Sequence, residues 1–151
     1  MSHFLIDGYN VLHREIACIS DGPESRERFV SRVRVFAAQH VRDRFTLVFD
    51  GNPRFLNPVP PVSGNLRVLF SVDATADYVI KRMLDAERSH EAVVVVSDDR
   101  EICDYAREHK AETMGSAVFL DKIVRDAGCR RQGADFGPDE IRQGDIRRIN
   151  A

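Results

Sequence analysis

Apolar residues in this 151-residue chain follow two alternating rhythms, short continuous runs and longer stretches with helical spacing. Phe4-Leu5-Ile6, closed by Asp7-Gly8, reads as a buried strand followed by a turn. Over residues 24–42, Phe29, Val30, Val33, Phe36, Ala37, His40 and Val41 fall on one helical face, with Arg28, Arg32 and Arg42 opposite. Phe45 to Phe49 is a second strand, ending in Asp50-Gly51. Residues 51–65 hold four of the six prolines and show no period, so they read as a loop. Leu66 to Phe70 is a third strand. A helix capped by Asp73 or Thr75 and reaching about Arg88 follows it, with Ala76, Val79, Ile80, Met83 and Leu84 inward. Ala92 to Val96 is apolar at every position, as a strand covered on both faces must be. Ser97-Asp98-Asp99 then opens a helix carrying Ile102, Cys103, Tyr105 and Ala106. A short strand near Glu112 to Met114 leads to a last helix, capped by Ser116 and stopped by Gly128.

Strands alternating with helices predict an α/β fold, a parallel sheet of four or five strands flanked by helices on both faces. Residues 1–128 are expected to form the domain. Residues 129–151, poor in large apolar side chains and rich in Arg, Gly and Asp, read as a flexible tail. A composition of 43% hydrophobic and 30% charged residues excludes a disordered or collagen-like chain. The longest apolar run is far short of the roughly 20 residues of a membrane span, so no membrane partner is expected. The start of the chain has no basic region and meets Asp7 early, unlike a signal peptide, so the expected location is the cytoplasm. Three cysteines without CxxC spacing read as reduced thiols rather than a disulfide frame or a zinc site. The net charge of −2 argues weakly against a nucleic-acid partner, but 19 of the 22 basic residues are arginine, which suits phosphate.

The chemistry collects at strand ends. Asp7, Asp50 and Asp98 each stand at the carboxyl end of a strand, where the ligand crevice of an open parallel sheet lies. Asp77, in the first turn of its helix, can lean over that edge, and Asp99 follows Asp98. Carboxylates gathered there repel one another and raise each other's pKa, which bound Mg²⁺ or Mn²⁺ would relieve. The plainer reading is that Asp in Asp-Gly favours turns, while Asp73, Asp77 and Asp99 cap helices. Taken one at a time, each Asp fits the plainer reading. Taken together at matching strand ends, they favour a metal site.

Leu5-Ile6-Asp7-Gly8-Tyr9-Asn10-Val11-Leu12, then Val48-Phe49-Asp50-Gly51, Thr75-Ala76-Asp77 and Val96-Ser97-Asp98, resemble the NYN domain of PIN-like nucleases, in particular its YacP-like branch. The resemblance covers residues 3 to 127 and implies a three-layer PIN-like fold. It also implies metal-dependent ribonuclease activity on RNA, leaving 5′-phosphate and 3′-hydroxyl ends. It carries over Asp7, Asn10, Asp50, Asp77 and Asp98 as site residues, with Asp7, Asp77 and Asp98 as the catalytic set. The metal set adds Asp50 and the less firmly placed Asp99.

Around these residues, Asn10 either contacts metal or substrate or ends a turn. Ser97 either orients Asp98 or bonds a phosphate, or simply finishes its strand. Arg54, Arg67 and Arg100 are placed near the crevice, as phosphate contacts or as solvated surface. His40 reads as a packing histidine, and the five histidines form no pair suited to metal-free RNase chemistry. Neither a P-loop nor a GxGxxG motif is present, so no nucleotide cofactor is expected. A haloacid-dehalogenase phosphatase would need a second Asp where Tyr9 stands, and a receiver domain would place its acidic pair early. The remaining alternative is a non-catalytic RNA-binding module on the same fold.

Overall fold

A computed structural model describes residues 1–15, 23–51, 62–87 and 91–134. The chain divides into two compact units, Met1–Leu120 and Asp121–Ala151. The first unit contains the sheet. Its elements in order are β1 (Ser2–Asp7), α1 (Gly8–Glu15), α2 (Pro23–Ala38), β2 (Arg44–Asp50), β3 (Val62–Ser63), β4 (Leu66–Ser71), α3 (Ala76–Ala86), β5 (Ala92–Val96), α4 (Arg100–Glu108) and β6 (Glu112–Met114). Helix α5 (Ser116–Ala134) begins in the first unit and ends in the second.

Five strands run parallel in the order β4-β2-β1-β5-β6, and the two-residue β3 pairs antiparallel with β4 at the edge. Strand order reverses between β1 and β5, so the crevice expected of such a sheet opens between their carboxyl ends. The pleat sends alternate residues to opposite faces. Leu5, Val48, Val93 and Val95 pack with Ala76, Ile80 and Leu84 of α3 and Ile102 and Ala106 of α4. On the other face Phe45 stacks on Phe4 and meets Phe36 of α2, which also meets Phe119 of α5.

Four details differ from the sequence expectation. Asp7-Gly8 is not a turn, because helix α1 begins directly on β1. A Cβ at Gly8 would stand 2.5 Å from two ring carbons of Phe49 and 2.9 Å from the Val48 carbonyl, so glycine lets α1 lie this close to β2. Helix α2 ends at Ala38, which leaves Val41 outside it and 76% exposed, while His40 packs on Phe36 at 4.3 Å between ring centroids. Strand β3 occupies part of the segment read wholly as loop. Gly128 does not stop the last helix, which continues to Ala134; an interior glycine costs about 1 kcal/mol, and the Cys129-Arg130-Arg131-Gln132 run tolerates or favours helix.

Candidate active site at the carboxyl edge of the sheet

Strand parity assembles the site. Asp7 lies two residues beyond Leu5, Asp50 two beyond Val48 and Ser97 two beyond Val95, so all three share the face that packs on α3 and α4. The same edge receives the amino ends of four helices, and a carboxylate meets each of them. Asp7 accepts the backbone N–H of Asn10 in the first turn of α1. Asp50 Oδ1 reaches across to accept the N–H of Ala76 at the start of α3, and Thr75, not Asp73, caps that helix from within. Asp99 Oδ1 accepts from Glu101 N at 2.8 Å and Ile102 N at 3.4 Å at the start of α4. Asp98 Oδ1 accepts from Ser116 N at 2.9 Å, so Ser116 is the first helical residue of α5 and Asp98 supplies its cap. Each pairing sets a negative charge against the positive end of a helix, which stabilises the acids where they stand.

Asp7 remains the exception in electrostatic terms. It is 9% exposed, and burial pushes its carboxyl up to about 6, with Asp50 and Asp99 adding repulsion. The Asn10 N–H and the Ser97 hydroxyl, 3.5 Å from Asp7 Oδ2, oppose that rise. Asp77 is held from one side only. Its Oδ2 lies 3.4 Å from Lys81 Nζ, which also pairs with Glu101 at 3.3 Å, whereas its Oδ1 is buried without a hydrogen-bond partner.

The supporting residues take roles more specific than their sequence context implied. Ser97 is buried and works internally, bonding Asp7 and accepting the N–H of Asp99 at 3.0 Å. Asn10 Oδ1 accepts from Asp98 N at 2.8 Å and from the Ser116 hydroxyl at 3.0 Å, tying α1 to two later segments. Arg100 is exposed at the start of α4. Arg67 is displaced from its expected place: it pairs with Thr46 near the amino end of β4, whereas the carboxyl end of that strand, Ser71, pairs with Asp50. Four residues of strand, about 13 Å, separate it from the edge. Arg54 and Cys18 lie outside the described residues, as do residues 135–151 of the tail. Cys103 is a free thiol whose Sγ donates to the Ser97 carbonyl at 3.4 Å. Lys81 and Ser71, whose hydroxyl is 3.4 Å from Asp50 Oδ1, were not foreseen. A lysine one helical turn after Asp77 was the available signal for the first.

The donor set is all carboxylate oxygen, the chemistry that Mg²⁺ and Mn²⁺ accept. The partnerless Asp77 Oδ1 and the repulsion on Asp7 fit a cation. Among the described residues, however, no three Asp, Glu, His or Cys side chains are drawn together as ligands of one ion. Among the same residues no helix is long and apolar enough to cross a membrane.

A five-stranded parallel sheet with helices on both faces and acids along its carboxyl edge defines an α/β domain with its candidate site at the strand ends. The YacP-like NYN domain family matches residues 4–135, and the chain belongs to that family. Its structure is similar to the crystal structure of Rae1 (YacP) from Bacillus subtilis, with a TM-score of 0.67 and 18% identity over 89% of this chain and 82% of that one. A point mutant of Rae1 gives a TM-score of 0.68 and 16% identity over 91% and 87% of the two chains. No curated protein matches the sequence significantly.

Proposed function

We propose that this chain is a metal-dependent ribonuclease that hydrolyses RNA phosphodiester bonds at the carboxyl edge of its sheet. The observation that carries the reading is Asp7, a buried carboxylate pushed up to about 6 in the company of Asp50 and Asp99. Perturbed carboxylates cluster at functional sites, and a buried acid among others at the carboxyl edge of a sheet fits a hydrolytic one. Asp7, Asp50, Asp77, Asp98 and Asp99 would hold Mg²⁺ or Mn²⁺ between them, directly or through water. A divalent cation bound there supplies charge neutralisation and polarises the phosphodiester.

The chain's own residues supply the rest. Ser97 orients Asp7, and Lys81 holds Asp77 by one oxygen, leaving the other for the site. Arg100, exposed beside Asp99, would meet an RNA phosphate. One observation favours the second reading, a non-catalytic RNA-binding module: Asp7, Asp50, Asp98 and Asp99 each already serve a helix end.

Purified protein incubated with mixed RNA in Mn²⁺, in Mg²⁺ and in EDTA, followed by end-group analysis, separates these readings. Divalent-dependent cleavage to 5′-phosphate ends, lost in Asp7→Asn, is expected. Binding without cleavage in either metal would leave the binding module, and neither binding nor cleavage would remove both.

A further inference from the structure

Arg26, in the second turn of α2, is only 3% exposed. Its guanidinium lies 6.0 Å from the ring centroid of Phe49 and 5.8 Å from that of Phe70. Nη1 donates to the Tyr9 hydroxyl at 2.9 Å. Nε and Nη2 are buried without an acceptor, and no carboxylate among the described residues pairs with the group.

Arginine stays charged at any ordinary pH, so it cannot escape burial by losing its proton. Aromatic faces at 5.8 and 6.0 Å, near the outer limit for such contacts, return about 2 kcal/mol each when desolvated and supply no hydrogen-bond acceptor, so Nε and Nη2 stay unsatisfied. The imbalance has a shape. Nε and Nη2 form one parallel edge of the guanidinium, the edge that grips two oxygens of a phosphate or carboxylate at once. The group also has a meaningful place. Phe49 and Phe70 immediately precede Asp50 and Ser71, and Tyr9 follows two residues after Asp7, so Arg26 sits at the carboxyl edge. It occupies the sheet face opposite the acids, because Phe49 alternates with Asp50. Tyr9, whose hydroxyl takes the Nη1 hydrogen bond, is half-buried, so the subsite has one wall that reaches towards solvent.

We propose that Arg26, with the Tyr9 hydroxyl, is a phosphate-binding subsite that grips the RNA backbone beside the cleavage position. The source of the phosphate rests on the ribonuclease reading; the anion site itself does not. An acidic edge repels the strand it must hold, and a cation just over that edge offsets the repulsion.

The test uses the full chain in EDTA, so that RNA is bound but not cut, at constant ionic strength set with chloride. Inorganic phosphate should raise the melting temperature of the wild type and leave that of Arg26→Met unchanged. Without phosphate, Arg26→Met should melt at or above the wild type, since an unpaired buried charge has gone. A short single-stranded RNA should bind Arg26→Met about tenfold more weakly, with a salt slope lower by about one ion. Arg26→Lys, which keeps the charge but loses the flat edge, should fall between. If both variants melt well below the wild type without phosphate, Arg26 is a structural tie to Tyr9 and the proposal fails. It fails equally if Arg26→Met keeps the phosphate response and the RNA affinity, which leaves the ribonuclease reading untouched. If phosphate responds through Arg26 while the wild type binds no RNA either in EDTA or in Mn²⁺, the anion site stands and the RNA reading falls.

Discussion

The side-chain oxygen of Asn10 accepts the backbone N–H of Asp98 at 2.8 Å, across 88 residues of sequence. The same oxygen accepts the Ser116 hydroxyl at 3.0 Å, and Asp98 in turn caps α5 through Ser116 N at 2.9 Å. One amide therefore fixes the first helix to the β5–α4 turn and to the start of α5, and through them sets where Asp98 stands. Asn10 looks like a substrate ligand in the sequence because it lies in the acidic motif. Its oxygen is occupied within the fold.

That geometry predicts that Asn10→Ala lowers stability by about 1–3 kcal/mol, chiefly because the buried Ser116 hydroxyl loses its acceptor, whereas water can replace the exposed bond to Asp98 N. Urea unfolding of both proteins in EDTA gives the measurement. A variant as stable as the wild type but deficient in RNA binding would return Asn10 to the role of ligand.

Gly8→Ala tests the close approach of α1 to β2. The added methyl would lie 2.5 Å from the Phe49 ring and 2.9 Å from Val48 O, and Phe49 is fully buried with nowhere to move. Overpacking of this kind costs about 1–3 kcal/mol, so a thermal melt should show a clear loss. An unchanged melting temperature would mean that the helix shifts freely, and with it Asp7 and Asn10.

Most of the fold was legible because strand and helix periods differ sharply in Ala92–Val96 and in α3. Helix α1 was not. Asp-Gly marks a turn in isolation, and the packing of Phe49 over Gly8, which makes it a helix start, belongs to tertiary structure. Asp7, Asp50 and Asp98 were legible at the edge because each ends or closely follows an apolar strand run, whereas the parity that puts Asp7, Asp50 and Ser97 on one face needed the observed register. Their second roles as helix caps were not, since Asp50 and Asp98 cap helices that lie 26 and 18 residues further along. Nothing in the sequence singled out Arg26, because Arg28 and Arg32 beside it look the same and only packing tells a buried arginine from a wet one.

Asp7 gives the protein a distinctive pH dependence when no cation is present. Its folded pKa of about 6 lies above the ordinary 3.8, so the folded state holds the proton more tightly than the unfolded chain. The penalty is absent below the unfolded value, grows as pH rises between the two, and is complete above about 6. The full shift corresponds to about 3 kcal/mol as an upper figure. Asp7→Asn removes the charge while keeping a capping oxygen. In EDTA at pH 8 the variant should therefore exceed the wild type by about 1 kcal/mol or more, and the gap should close towards pH 4. Urea midpoints across that range decide it. A gap that widens on acidification has the wrong sign and would make Asp7 a stabilising partner rather than a strained one.

The last expectation joins the strained acid to the cation. If Mn²⁺ binds where Asp7, Asp50 and Asp99 repel one another, it binds the folded chain alone and must stabilise it. The gain follows mass action, about 2.7 kcal/mol at a hundred times the dissociation constant. Wild-type melting temperature should climb with Mn²⁺ concentration at fixed ionic strength. The climb should be much smaller in Asp7→Asn and in Asp50→Asn, although Asp50→Asn also weakens the cap on Ala76 N and so begins from a lower point. Asp104→Asn serves as the control, because that acid is exposed and paired with Arg107 away from the strand ends. Equal Mn²⁺ responses in all four proteins would mean that the ion sits elsewhere. The edge would then be a set of helix caps, and Asp7 would need a different explanation for its burial.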